Sequence, residues 1–495
     1  MVELDDYLID GHEVTNEEYK VFVDAGGYRN RELWKEPFVR DGHEIPWEEA
    51  MAHFVDATGR PGPATWEVGS YHKGMEKHPV AGVSWYEAAA YAEFAGKSLP
   101  TAYHWSQASE AWWTALISSG SNFRGEGTQP VGSPSALSGR GTTDMAGNVK
   151  EWCWNEGHDG KRFILGGGFG EPSYMFLQAD ARLPWDRGPN FGFRCVKLDS
   201  PPSAAAAARI EATHPDLSKE TPVSDEVFEA YRGLYAYDET ELNARVEETE
   251  TTENWTWVRV TFDAAYGNER VIAHLFLPMK VPAPFQAVVY FPSGFAMFHE
   301  KFAPSAIEDA LDFLVKSGRA LVFPIYKSTY ERRDGLVPGR GTPGVYRDHM
   351  IQWSKDLART LDYLETRKDI DATRMAYLGS SWGGGAAPVV LAVENRFQAA
   401  ILEDGGFFLR DELPEVHGLN FALRVNVPVL MLNGRYDDFF PLETSQLPLF
   451  RLLGTPDRDK KHVIYEAGHG DLPSREEIRE TLDWLDKYLG PVRRN

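Results

Sequence analysis

The sequence predicts two folded units: an irregular α+β unit followed by an α/β unit with a doubly wound, mostly parallel sheet. Two observations predict this division. The segment Ser200–Pro201–Pro202–Ser203, followed by five alanines, has the small-residue composition of a boundary. Ten of the 15 tryptophans lie in residues 1–200, whereas from Trp255 onward β-type runs alternate with longer helical patterns.

Eight apolar runs after Trp255 predict the strands of the second unit: WTWVRVTF, VIAHLFLP, AVVYFPSG, ALVFPIY, MAYLGS, AAILED, VPVLMLNG and HVIYEAG. Helical patterns span residues 351–366 and 475–489. We therefore divide the chain into a first unit of residues 1–198, a linker with a helical extension over 199–250, and a second unit of residues 251–495.

Composition narrows the classes of function. The 51 Lys and Arg residues against 74 Asp and Glu give a net charge of −23, which argues against a nucleic-acid-binding surface. No run reaches the roughly 18–20 apolar residues of a membrane span, and the acidic opening MVELDDYLID does not resemble a secretory signal. We predict a cytoplasmic protein with no membrane span, in which Cys153 and Cys195 are small buried residues rather than a disulfide framework.

The segment GSSWG, residues 379–383, is the G-x-S-x-G motif of a serine nucleophile. It follows an apolar strand directly and precedes a small-residue helix start, which is the structural context that this motif requires. A serine in such a tight turn exposes its hydroxyl group, and the close approach of the backbone demands glycine on both sides. We predict that Ser381 is a catalytic nucleophile.

A serine hydroxyl needs a base and the base needs an acid, and both candidates follow later strands. Asp437 and Asp438 come just after VPVLMLNG, and His469 lies between two glycines after HVIYEAG. Adjacent aspartates point in different directions, so only one of them can reach the imidazole; we prefer Asp437 and leave Asp438 open. The chain order Ser381, Asp437, His469 is the order found in α/β-hydrolases.

An oxyanion hole is predicted from two backbone N–H groups. One belongs to Trp382, the residue after the nucleophile, and the other to Phe295 in the loop FPSGF; an ordinary β-turn is the alternative for that loop. The long segment 326–350, rich in Arg and Gly, is predicted to line the cleft. Arg332 or Arg333 either binds an acidic substrate or faces solvent, and the sequence leaves both alternatives open, with solvent as the default.

Residues 250–495 resemble an α/β-hydrolase of the dienelactone hydrolase and prolyl-oligopeptidase-like group, on the motifs GSSWGG, NGRYDD and AGHG. In related hydrolases the acid stands in a G-x-x-D-x-x-x-P arrangement, which Gly434, Asp437 and Pro441 match. The resemblance implies hydrolysis of small-molecule carboxylic esters, or less often thioesters, lactones or peptides, through an acyl-enzyme and with no cofactor.

Residues 1–198 resemble the formylglycine-generating enzyme, or sulfatase-modifying-factor, family. The matching segments are IDGHEVTNEEY, HPVAGVSWYEA, KSLPT, DMAGNVKEW, GGGF and GFRC. The oxidase activity of that family needs a copper-binding cysteine pair before the last motif, but residues 170–191 contain no cysteine. The related iron enzymes use a helical histidine cluster, which we do not find here. We therefore predict a non-catalytic module that binds a partner or covers the cleft of the second unit.

The same resemblance implies a structural calcium site in DMAGNVKEW, with side-chain oxygens of Asp144 and Glu151 and backbone carbonyls of Gly147 and Val149. A helix cap with a solvent salt bridge is the alternative for these residues. The order of the two units also resembles the C-terminal part of bacterial serine/threonine kinases. This indicates either a kinase-free protein or a fragment that an upstream kinase domain would precede.

Three hypotheses of function remain. The leading one is a serine hydrolase of carboxylic esters, because three motifs stand in order at predicted strand ends. The second is a regulatory or scaffold protein with an inert hydrolase unit and a protein partner for the first unit. The third, copper-dependent oxidation, lacks the cysteines that it needs.

Overall fold

A computed structural model describes residues 2–40, 42–109, 120–132, 138–157, 160–176, 179–210, 217–308, 310–336, 341–437, 439–470 and 472–492. The chain forms two compact units, residues 1–213 and 214–495. Asp438, the alternative acid, and residues 337–340 of the Arg- and Gly-rich segment lie outside the described residues. None of the helices within these ranges is both long and apolar enough to cross a membrane.

The first unit combines short strands with short helices. They are β1 (Tyr7–Ile9), α1 (Asn16–Asp24), β2 (Val39–Arg40), β3 (His43–Glu44), α2 (Trp47–Met51), α3 (Trp85–Phe94), α4 (Ala102–Ser109), β4 (Lys150–Glu156), β5 (Arg162–Leu165), β6 (Ala181–Arg182), β7 (Phe191–Gly192), β8 (Val196–Leu198) and α5 (Ala204–Ala207). Strands β6, β5, β4 and β7 form a four-stranded sheet in that order, and β1 pairs with β8. Capping boxes begin α1 at Thr15 and α3 at Ser84.

Aromatic side chains fill the core of the first unit. Trp66, Trp85 and Trp152 are at most 1% exposed and lie in one cluster of buried residues. Cys153 and Cys195 are free and completely buried, as the sequence predicts, and burial raises the pKa of both thiols well above its usual range. The large tryptophan side chains therefore fill the core of the first unit, because its short strands and helices contribute few apolar side chains each.

The second unit contains α6 (Asp225–Arg232), β9 (Arg245–Thr251), β10 (Trp255–Asp263), β11 (Arg270–Pro278), β12 (Phe285–Phe291), α7 (Asp312–Lys316), β13 (Ala320–Ile325), α8 (Pro343–Glu365), β14 (Ile370–Ser380), α9 (Trp382–Val393), β15 (Ala399–Glu403), α10 (Leu419–Ala422), β16 (Val429–Gly434), α11 (Leu447–Leu452), β17 (Lys460–Tyr465) and α12 (Ser474–Leu489). One nine-stranded sheet has the order β9, β10, β11, β13, β12, β14, β15, β16, β17. Strands β12 to β17 are parallel, whereas β9, β10, β11 and β13 pair antiparallel in that order. All eight predicted strands are confirmed.

Alternate residues of each central strand enter opposite cores, which makes the sheet doubly wound. Met375 and Tyr377 of β14 pack in the core that contains Trp353 of α8, whereas Ala376 packs in the core that contains Trp484 of α12. Helices therefore cover both faces, and the carboxyl ends of the parallel strands are left to carry a site.

The helical extension predicted over residues 199–250 is wrong at its end. Residues 245–251 form β9, an exposed strand that pairs antiparallel with β10 at the edge of the sheet. The sequence RVEETET has no apolar face that would predict a strand. The register with β10 supplies the hydrogen bonds that hold it.

Candidate active site

Ser381 sits in the turn between β14 and α9 with φ +51° and ψ −103°, a conformation that non-glycine residues rarely adopt. Its backbone N–H donates a hydrogen bond of 2.8 Å to the carbonyl of Glu403, so the neighbouring strand holds the turn. The side chain is half-buried. The strained turn places the hydroxyl at the carboxyl end of the central strand, as in a nucleophile elbow.

The two glycines of the motif have no room for a side chain. A Cβ on Gly383 would lie 2.2 Å from the carbonyl oxygen of Phe291, and one on Gly379 would lie 2.7 Å from the carbonyl carbon of Gly383. Both contacts are with backbone, which cannot rotate away. The spacing G-x-S-x-G is therefore a packing requirement of this turn.

Replacing Gly383 by alanine is expected to destabilise the second unit by about 1–3 kcal/mol, as overpacking does in other cores. The matched control is Gly344→Ala in the first turn of α8, where a Cβ meets no atom within 4 Å. Differential scanning calorimetry of the whole protein measures the melting temperature of each variant. Equal melting temperatures for the two variants would contradict the packing argument.

A continuous chain of hydrogen bonds joins Ser381, His469 and Asp437. The distance from Ser381 Oγ to His469 Nε2 is 2.8 Å, and that from His469 Nδ1 to Asp437 Oδ2 is also 2.8 Å. The Asp437 carboxylate can only accept a hydrogen bond, so Nδ1 of His469 carries the proton and donates it to Asp437. Nε2 is then unprotonated and accepts the hydrogen bond that the Ser381 hydroxyl donates. The Asp437 side chain is fully buried, and that of His469 is 14% exposed. This geometry lets the imidazole take a proton from Ser381.

The parallel pairing of β16 with β17 brings the acid to the histidine. Beyond the strands, the N–H of Arg435 donates to Tyr465 at 2.8 Å, and the N–H of Tyr436 donates to Ala467 at 3.0 Å. The next residue is Asp437, whose Oδ1 accepts the backbone N–H groups of residues 439 and 440 at 2.9 and 2.8 Å. Both carboxylate oxygens are thus held, which fixes the orientation of the acid.

The two backbone N–H groups predicted for the oxyanion hole both lie in first turns. Trp382 is the first residue of α9, and Phe295 lies in the single 3₁₀ turn Gly294–Met297 after β12. Within the described part of the chain, neither N–H donates a hydrogen bond. First-turn N–H groups carry a partial positive charge that favours an anion. The assignment of these two groups as an oxyanion hole stays a prediction.

Exposed phenylalanines lie beside His469 and in the loop after β12. The ring of Phe439 lies 4.7 Å from that of His469, and Phe439 is 57% exposed. Phe295 is 66% exposed, and its ring lies 6.4 Å from that of Phe298, which is also exposed. These rings leave apolar side-chain surface exposed to solvent in both loops.

The default of a solvent-facing Arg332 is wrong. Its guanidinium is buried, donates to the carboxylate of Asp356 at 2.5 Å and to the hydroxyl of Tyr266 at 2.8 Å, and has its pKa raised further by both partners. Arg333 is exposed, in agreement with the default, and its guanidinium lies 3.7 Å from the Glu300 carboxylate. Arg332 therefore forms a structural ion pair with Asp356, and this pair anchors residues 326–336. The local sequence does not reveal the pair, because Asp356 lies on α8.

The predicted calcium residues contain a buried ion pair. Arg194 donates to both oxygens of Glu151 at 2.6 and 2.7 Å, and Trp105 donates to the same carboxylate at 2.8 Å. Asp144 accepts the backbone N–H of Gly132 at 2.6 Å. Gly147 and Val149 lie in the buried segment between Asp144 and Glu151. A calcium ion would compete with the guanidinium for Glu151, so this side chain fits the site poorly, and calcium binding stays a prediction.

Sequence reasoning missed one acid of the site. Asp404 follows β15 as Asp437 follows β16, and it lies in the same cluster as Asp437 and His469. The signal was an acid at the end of AAILED, ahead of two glycines. Phe439 was also missed, because exposure of an aromatic side chain is decided by the fold.

The second unit thus has the architecture of an α/β-hydrolase, with a serine elbow and acid and histidine loops at successive strand ends. Residues 1–198 match the family described as "Sulfatase-modifying factor enzyme 1-like domain". The chain is 34% identical over 190 residues to the formylglycine-generating enzyme of Thermomonospora curvata, a match that covers 31% of this chain and 60% of that protein.

The chain is also 34% identical over 158 residues to the serine/threonine-protein kinase pkn1 of Chlamydia caviae, covering 30% of this chain and 23% of the kinase. It therefore spans less than two thirds of either relative. Among solved structures, the acetyl xylan esterase from Paenibacillus sp. R4 is similar with a TM-score of 0.43 and 20% identity, over 55% of this chain and 96% of that one.

Proposed function

We propose that the second unit hydrolyses carboxylic esters through an acyl-enzyme in which Ser381 is the nucleophile. The observation that carries the proposal is the unbroken hydrogen-bond chain from the Ser381 hydroxyl through His469 to Asp437, built on a strained elbow. A serine held in this way has a base to take its proton and an acid to stabilise the imidazolium that forms.

In the proposed reaction Ser381 Oγ attacks the carbonyl carbon of the ester while its proton moves to His469 Nε2. The N–H groups of Trp382 and Phe295 donate hydrogen bonds to the oxyanion that forms. The bond to the alcohol oxygen then breaks, and His469 returns the proton to the departing alcohol. Water repeats the sequence on the acyl-serine and releases the acid. These steps balance without a metal or a cofactor.

The proposed substrate is a small-molecule ester with an apolar acyl or alcohol group. The exposed rings of Phe439, which lies beside His469, and of Phe295, whose N–H we propose as an oxyanion donor, support this choice. Burying such rings against an apolar group contributes favourably to binding, whereas a charged group there would lose hydration.

For the first unit we propose a non-catalytic role as a binding module for a partner. The interval 170–191 has no cysteine, and the two cysteines of the chain are completely buried with raised pKa values. A thiolate is the form that binds metal ions and reacts, so thiols kept protonated in a closed core do not supply that chemistry.

Labelling with a fluorophosphonate, together with hydrolysis of p-nitrophenyl esters from acetate to octanoate, tests the proposal. We expect one label per chain, located on Ser381 by peptide mass spectrometry, and rates that vary with acyl length. Absence of label on Ser381 combined with no hydrolysis of any ester would overturn the proposal and favour a scaffold with an inert hydrolase unit.

A further inference from the structure

Asp404 is a buried acid in a strained position at the edge of the site. It directly follows β15 with φ +45°, a left-handed conformation that costs a non-glycine residue energy. Asp404 is only 5% exposed. Burial of a carboxyl group is also costly, so two unfavourable features coincide at one residue.

The carboxylate of Asp404 reaches the loop that carries the histidine. Its Oδ2 accepts the backbone N–H of Gly470, the residue after His469, at 2.9 Å. Its Oδ1 is buried and has no hydrogen-bond partner among the residues that the structure describes. One oxygen of Asp404, one of Asp437 and one ring nitrogen of His469 all lie within 4.8 Å of one another. Two acids from successive strands therefore face a single imidazole.

The surroundings of Asp404 place its ionisation near neutrality. Burial raises its pKa to about 7, with Asp437 and Glu477 of α12 raising it and His469 lowering it. Its neighbour Glu403 has a pKa raised well above the usual range by burial and by Glu477. Asp404 is thus neutral in mild acid and negatively charged in mild base.

We propose that Asp404 is a second carboxylate serving His469: it holds the histidine loop through Gly470 and, when ionised, adds negative charge beside the imidazole. This inference deepens the proposed ester hydrolysis and rests on it. Asp404 touches neither the nucleophile nor the reacting carbonyl, so it is a positioning residue. Because an anion stabilises the imidazolium formed when Ser381 is deprotonated, the reaction gains as Asp404 ionises.

Asp404→Asn separates charge from structure, since the amide oxygen still accepts the Gly470 N–H. We expect kcat for p-nitrophenyl acetate to equal that of the unmodified protein at pH 6 and to be about tenfold lower at pH 8.5, with KM unchanged. The matched control is Asp371→Asn near the start of β14, at the opposite end of the strand from Ser381. The ratio of kcat of this variant to kcat of the unmodified protein should be close to one at every pH. A ratio for Asp404→Asn that is the same at both pH values would overturn the proposal.

Titration of His469 by ¹⁵N NMR gives a readout that needs no ester substrate. With the signal assigned through His469→Gln, we expect Asp404→Asn to lower the midpoint of the His469 titration by about one pH unit. An unchanged midpoint would overturn the proposal. Failure of the proposed function shows instead as an unlabelled Ser381, so the two outcomes are distinguishable.

Discussion

Ser381→Ala is expected to lower kcat for p-nitrophenyl ester hydrolysis by about 10⁴- to 10⁶-fold, the range seen when the nucleophile of a serine hydrolase is removed. Alanine leaves His469 and Asp437 in place but provides no oxygen to form the acyl-enzyme. Residual hydrolysis would come from water bound near the oxyanion position. The rate of nitrophenolate release by each protein is measured from the nitrophenolate absorbance, by stopped flow and in the steady state.

The neighbouring serine provides the matched control. Ser380 is the last residue of β14, and the hydrogen-bond partner of His469 Nε2 is the hydroxyl of Ser381, the residue after it. Ser380→Ala should therefore retain activity within a few-fold of the unmodified protein. Comparable rates for Ser381→Ala and the unmodified protein would show that the esterase reaction proceeds elsewhere.

Arg194→Met is expected to destabilise the first unit by about 3–5 kcal/mol at pH 8, because it leaves the Glu151 carboxylate buried without its cation. Both side chains of this pair are completely buried. Glu13 lies nearby with a pKa raised well above its usual range by burial and by the Asp144 and Glu151 charges, and Arg194 opposes that rise. Removing the guanidinium therefore leaves Glu151 without its cation and removes a charge that opposes the rise in the pKa of Glu13.

The loss of stability in Arg194→Met should increase with pH. Acids whose pKa is raised in the folded state contribute stability below their unfolded pKa values, and this stability is lost as the pH rises through the folded values. Arg194→Met should thus be less destabilised at pH 5 than at pH 8. Hydrogen exchange of peptides from β4, followed by mass spectrometry in the whole protein, reports on this unit separately from the second one.

Arg31→Met is the control for this experiment. Arg31 and Glu48 form an ion pair whose side chains are 61% and 76% exposed, and such pairs contribute little. We expect the exchange of β4 to be unchanged in this variant. Identical exchange in Arg194→Met would mean that the buried pair does not hold the first unit together.

The sequence predicted the features whose physical cause is local. The central strands of the second unit are visible as apolar runs because they are buried on both faces, whereas β17 at the edge of the sheet is only partly buried. The glycines around Ser381 are required by one turn, where a Cβ on Gly383 would meet Phe291. The order of Ser381, Asp437 and His469 along the chain was likewise readable, because each follows a recognisable strand.

What only the tertiary structure decided is which distant side chains meet. Strand β9 exists because β10 offers it hydrogen bonds, and Arg332 is buried because Asp356 of α8 faces it. Asp404 joins the histidine site because β15, β16 and β17 lie side by side in the sheet. Local sequence fixes turns and strands through the backbone, whereas burial and charge pairing depend on strand order, which only the assembled sheet specifies.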